Sequence, residues 1–130
     1  MVQNRQAGGG TMTQETTIRT YFSSWEQKDW EMIEGCLSDG FNFTSPDDDH
    51  IDKDAYKKKC WPLAQIIDRY ELLTIISAGS EAFVRYLADF HNGASFRVTE
   101  SMQFQDGKIK AIERYWGFLP RNVEGMERFR

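Results

Sequence analysis

Apolar residues recur at helical spacing in the first half of the chain and at alternate positions in the second. Ile18, Tyr21, Phe22 and Trp25 stand at i, i+3, i+4 and i+7, a single stripe on a helix predicted over about residues 13–28. Arg19, Glu26 and Lys28 fall off that stripe. Asp29 fits the N-cap of a second, shorter helix that turns Trp30, Ile33 and Leu37 inward and ends near Gly40. A short strand over 41–45 follows, closed by Pro46. Asp52 fits the N-cap of a third helix, with Ile51 and Tyr56 spaced as a hydrophobic staple and Pro62 as its stop. Four strands are predicted after that, at about 66–76, 82–90, 94–105 and 108–118. They are separated by Ala78-Gly79-Ser80, Asn92-Gly93 and Asp106-Gly107. Helices followed by an antiparallel meander make an α+β fold, with the helices on one face of a curved sheet.

Composition narrows the class of protein. At 130 residues the chain suits one domain with a real core. No apolar run approaches the ~18 residues of a membrane span, so no membrane partner is expected. A net charge of -4 argues against nucleic acid. Cys36 and Cys60 form neither a disulfide framework nor a zinc pattern and read as buried, reduced thiols. The start of the chain lacks a signal-peptide pattern, so a cytoplasmic protein is expected. Residues 1–12, with Gly8-Gly9-Gly10, read as a disordered leader, 13–119 as the domain and 120–130 as a tail.

The strand over 94–105 alternates most cleanly. Phe96, Val98, Glu100, Met102 and Phe104 share the face assigned to the core, and Ser95, Arg97, Thr99, Ser101, Gln103 and Gln105 share the other. Glu100 is the one acid on the apolar face. A lone buried carboxylate either gains a partner or shifts toward its neutral form. Glu100 is therefore either half of an ion pair with Arg85 or Arg114, or a neutral pocket acid. Tyr21 turns its phenol inward, either to a core hydrogen bond or to a ligand. Trp25, Trp30, Trp61 and Trp116 read as core or as the walls of a large apolar pocket.

The loop Pro46-Asp47-Asp48-Asp49-His50 is the densest charge cluster. It reads as a solvated turn, or as a pocket rim using Asp48, Asp49 and His50. A hard cation is a weaker reading, because no second ligand set is visible, and no metal or cofactor is expected. Phosphate loops, dinucleotide fingerprints and nucleophile motifs are absent from the sequence.

The order of elements resembles the cone-shaped domain shared by nuclear transport factor 2, SnoaL-like cyclases and ketosteroid isomerases. The resemblance rests on Ile18-Arg19-Thr20-Tyr21-Phe22, Lys28-Asp29-Trp30, Phe41-Asn42-Phe43-Thr44-Ser45-Pro46, Phe104-Gln105-Asp106-Gly107-Lys108-Ile109 and Tyr115-Trp116-Gly117. It implies a cone-shaped, curved antiparallel sheet packed on three N-terminal helices, and a homodimer. For the site it implies Tyr21 and Glu100 as oxyanion-side donors and Ile112 and Trp116 as apolar wall. The catalytic base of the isomerases falls at Ser45, and a serine cannot take up that proton unaided. Glu100 also stands where those enzymes have Asp.

The reading that follows is a small apolar, carbonyl-bearing molecule bound in the cone, with isomerisation or cyclisation by proton transfer as its chemistry. Tyr21, Glu100, Asp49 and His50 are the candidate catalytic residues. Trp25, Ser45, Asp48, Trp61, Ile112, Arg114 and Trp116 are the candidate ligand contacts. The alternatives are a non-catalytic binding or dimerisation module and, more weakly, a hydrolase or dehydratase. An open cavity favours the first; a cone plugged by its tryptophans favours the module.

Overall fold

The structure, a computed structural model, describes residues 9–117, with side chains over 14–116. The first helix, α1 (Gly9–Gln27), opens four residues ahead of the expected start. Residues 1–8 of the expected leader, Phe118 and the expected tail lie outside the described residues. The α1 stripe packs as predicted: Ile18, Tyr21, Phe22 and Trp25 are all buried. Asp29 caps α2 (Trp30–Cys36) by accepting from the Met32 amide at 3.2 Å.

The second helix stops short of Gly40. Leu37 takes an extended conformation and opens β1 (Leu37–Thr44) instead of closing the helix. It is still buried, now through pairing with Ile109, and the sheet register slips between Leu37 and Asn42. A two-residue strand that the sequence pattern did not announce, β2 (Ile51–Asp52), precedes α3 (Lys53–Cys60). Asp52 caps α3 through the Ala55 amide at 2.9 Å, and a 3₁₀ turn follows at Trp61–Gln65.

The meander is β3 (Ile67–Ala78), β4 (Glu81–Phe90), β5 (Ser95–Gln105) and β6 (Lys108–Gly117), each neighbour antiparallel. Asp106 and Gly107 both take positive φ, 53° and 80°, the geometry of a two-residue hairpin turn. The full order is β2-β1-β6-β5-β4-β3. One pairing departs from the antiparallel expectation: β1 runs parallel to β6. The chain between them crosses through α3 and four strands, long enough for the return a parallel pair needs. Register shifts in β3, at Leu72/Thr74, and between Gln103 and Phe104 bend the sheet as bulges do. Its inner face packs on the helices, and the fold is an α+β cone that does not close. The outer face stays open to solvent, exposing Ile76, Phe83 and Tyr115. Among the described residues, no helix is long and apolar enough to cross a membrane.

Candidate functional site

The inward alternation of β5 holds: Val98, Glu100, Met102 and Phe104 are buried. Glu100 pairs in register with Arg114 on β6, so both side chains turn to the same face. Arg114 Nε–H donates to Glu100 Oε2 at 2.6 Å, and the Tyr86 hydroxyl donates to the same oxygen at 2.6 Å. That oxygen accepts from a guanidinium and a phenol together, the arrangement of a charge-assisted arginine–glutamate pair. The second oxygen, Oε1, is buried with no partner among the described residues. Of the two arginines the sequence offered, Arg85 lies on the outer face and donates to Thr74 Oγ1 at 3.1 Å.

Burial opposes charge on Arg114, yet the Glu100 carboxylate and the oxygens of Tyr86, Tyr21 and Tyr56 hold its pKa well above the ordinary value. Burial raises Tyr86 well above a free phenol, and the Glu100 charge adds to it while Arg114 opposes. The Arg114 guanidinium also lies 4.8 Å from the centre of the Phe43 ring, a cation–π contact. Its terminal nitrogens make no hydrogen bond among the described residues.

Arg114 lines a cavity of about 280 Å³. Phe43, Tyr86, Ala88 and Val98, all buried, line it beside the half-buried Arg114. Tyr70, Phe90, Phe96 and Trp116 continue the apolar wall, and Ser45, Asp47, Asp48, Lys59 and Leu63 stand at its mouth. Cys60 and Ile67 complete the lining. At the mouth, Lys59 donates to Asp48 Oδ1 at 2.7 Å. Ser45 orders the loop: its amide donates to the Asp48 carbonyl at 2.8 Å, and its hydroxyl accepts from the Asp47 amide at 3.1 Å.

The predicted residues therefore divide. Ser45, Asp48, Arg114 and Trp116 meet in one cavity. Glu100 sits one shell behind it, screened by Arg114 and Tyr86. Tyr21 does not line it: the Tyr21 hydroxyl is hydrogen-bonded to that of Tyr56, and both are fully buried. Burial first, then the neighbouring Tyr56 and Glu100, hold the Tyr21 pKa well above a free phenol. Trp25 and Trp61 pack ring to ring at 5.0 Å away from the cavity, and Trp30 closes on Trp61 at 5.3 Å. Ile112 is core. Asp49 and His50 pair with each other at 2.6 Å on the exposed loop, side chains 89% and 71% exposed, and do not line the cavity. Both cysteines are free and buried. Among the described residues, no group of three or more His, Cys, Asp or Glu side chains could hold a metal ion.

Sequence reasoning passed over Tyr86, Tyr70, Cys60 and Lys59. Tyr86 carried a usable signal. Ala82, Val84, Tyr86 and Ala88 alternate on β4 as the β5 core face does, and Val84 pairs with Glu100, putting Tyr86 on its diagonal. Lys59 and Cys60 had none, because α3 meets the cavity only through tertiary packing.

Solved structures share the architecture. One is an NTF2-like protein of unknown function from Burkholderia xenovorans, with TM-score 0.71, 12% identity, and coverage of 92% of this chain and 94% of that one. Another, titled a "putative ketosteroid isomerase", is from Kribbella flavida, with TM-score 0.69, 15% identity, and coverage of 92% and 88%. A third is an LEH-like epoxide hydrolase from M. tuberculosis, with TM-score 0.69, 12% identity, and coverage of 82% and 84%. At such identities they speak for the fold alone, and one cone serves several chemistries. No curated protein matches the chain. A family model described as SnoaL-like domain matches residues 18–112, from the inward stripe of α1 to the core position before Arg114, and the chain belongs to that family.

Proposed function

We propose that this protein binds a small, mainly apolar molecule in the cavity and holds one of its oxygens on Arg114. The observation that carries the reading is the state of that guanidinium. Glu100 fixes it at Nε and Phe43 packs on it, while Arg114 lines the cavity and its terminal nitrogens make no hydrogen bond among the described residues. A fixed donor in a mainly apolar pocket is how ligand sites gain orientation and specificity. Glu100 and Tyr86 act as positioning residues, not as ligand contacts of their own.

Proton transfer, as isomerisation or cyclisation, is the chemistry we assign to a bound carbonyl compound. Asp48 is the base it would use, since Ser45 leaves the usual base position empty and Asp48 lines the same mouth. One observation favours the second reading, a binder without catalysis. The Tyr21 hydroxyl, the oxyanion donor the family resemblance implies, is buried against Tyr56 and does not line the cavity. Exchange of the α-protons of 1-tetralone in D2O separates the two. Acceleration by the protein, lost in Asp48→Asn, supports proton transfer; binding with no acceleration leaves the non-catalytic module.

We also propose a homodimer through the outer sheet face, where Leu73, Ile76, Phe83 and Tyr115 are 41–58% exposed. Light scattering at micromolar concentration should give twice the chain mass; a monomer mass refutes it.

A further inference from the structure

Building on that proposed reading of the cavity, we infer that its ligand is an uncharged molecule of one or two rings with a hydrogen-bond-accepting oxygen. Three observations lead there.

The first is size. An apolar protein cavity of roughly 150 Å³ holds benzene. This one is about 280 Å³, nearly twice that. Two fused rings fill it, and a four-ring skeleton exceeds it. Phe43, Phe90, Phe96 and Trp116 supply aromatic faces suited to a flat ring.

The second is charge. The positive groups at the cavity are Arg114 and Lys59. The negative ones are Asp47, Asp48 and, behind the wall, Glu100. Two against three leaves a net charge of -1. Arg114 is already matched by Glu100 and Lys59 by Asp48. An anion brought to Arg114 would lose its hydration for a cation whose charge is committed, with Asp47 and Asp48 repelling it at the mouth. A cation beside Arg114 would sit against the guanidinium itself.

The third is the type of hydrogen bond on offer. An arginine side chain only donates. The Tyr86 hydroxyl gives its proton to Glu100, and the Tyr70 hydroxyl, which can donate or accept, sets no requirement of its own. Beside Arg114 the ligand therefore needs an acceptor, and a ketone or similar carbonyl oxygen meets that need without bringing charge.

Calorimetric titration of the full chain with matched probes tests this. The probes are 1-tetralone, tetralin (the same skeleton without oxygen), 2-naphthoate (an anion of similar size) and progesterone (a four-ring ketone). The expected result is 1-tetralone binding at least about tenfold more tightly than each of the others. Arg114→Gln should lower it to the tetralin level. Ala88→Phe, which fills the cavity without touching the ion pair, should abolish it and serves if the Arg114 variant does not fold. Equal or tighter binding of 2-naphthoate overturns the charge inference and leaves the cavity reading standing. Equal binding of progesterone overturns the size inference in the same way. Tetralin binding as tightly as 1-tetralone overturns the acceptor inference. If none of the four binds, the inference and the cavity reading fall together.

Discussion

The cone interior has a sealed region and an open one, both rich in aromatic side chains. In the sealed region Tyr21, Trp25, Tyr56, Trp30 and Trp61 come from α1, α2, α3 and the 3₁₀ turn, and their rings interlock at 5.0–6.5 Å. In the open region Tyr70, Tyr86, Phe90, Phe96 and Trp116 come from the strands, and α1 touches Tyr70 and Tyr86 through Phe22, at 5.1 and 4.7 Å. Small side chains at Ala88 and Val98 leave the gap between them. Polar groups differ in the same way. The Tyr21 and Tyr56 hydroxyls satisfy each other, whereas Arg114 satisfies Glu100 at one edge and lines the cavity. Aromatic content alone therefore does not make a pocket; what decides is whether large side chains fill the space between the rings, as Trp25 and Trp61 do, or small ones leave it, as Ala88 and Val98 do.

The largest effects should come from breaking the sealed region. Trp25→Ala removes a side chain only 2% exposed and should cost about 3–5 kcal/mol in urea unfolding. Trp116→Ala, at the cavity wall, should cost clearly less and weaken 1-tetralone binding more. Equal losses of stability would erase the distinction between the two regions. Glu100→Gln comes next. It leaves the Arg114 guanidinium without its counter-charge and should cost about 3 kcal/mol at neutral pH. That is the low end of the range for a broken buried pair, because an amide oxygen still accepts from Nε–H. An unchanged melting curve would mean that Glu100 is not the ionised half of a pair.

Alkaline pH probes both regions together. Burial raises the pKa of Tyr21, Tyr56, Tyr70 and Tyr86, and that of Cys36 and Cys60. In the unfolded chain the thiols release protons from about pH 8.5 and the phenols from about pH 10. The folded state keeps those protons, so the unfolded state binds fewer and stability falls as pH rises. The stabilising contribution should be complete below about pH 8.5 and fall most steeply above about pH 10. Tyr115, 58% exposed, is the one of five tyrosines expected to ionise before unfolding. Phenolate absorbance from more than one tyrosine in the folded protein would contradict the buried placement. The smallest structural effect belongs to Asp48→Asn. Asparagine keeps the side-chain shape and an oxygen that accepts from Lys59, itself 56% exposed, so the melting temperature should fall by less than in Glu100→Gln, while proton exchange on bound 1-tetralone should fall.

Local patterning announced much of this molecule. The α1 stripe, the Asp29 and Asp52 caps, the Asp106-Gly107 turn and the inward face of β5 all follow from periodicity and turn chemistry within a few residues. They place Glu100 inside and name Arg114 as one of two partners. The remainder depends on contacts distant in sequence. Whether β1 would run parallel to β6 depends on where the chain returns after α3 and four strands. Whether Tyr21 would meet a ligand or Tyr56 depends on how α3 docks against α1. His50 and Asp49 looked like rim chemistry as a string of letters. The turn spends them on each other, with His50 at φ 51° and its ring on the exposed side.

In the proposed reading Glu100 fixes Arg114, and the far edge of the guanidinium holds the ligand. Side-chain NMR of the arginine Nε–Hε groups, recorded at neutral pH before and after adding 1-tetralone, tests it most directly. The account predicts one arginine Nε–Hε signal protected from exchange with water in the free protein, lost in Glu100→Gln and shifted by the ketone. If no arginine Nε–Hε is protected, or if the protected one ignores the ketone while Trp116 responds, Arg114 does not hold the ligand and the account is wrong at its centre.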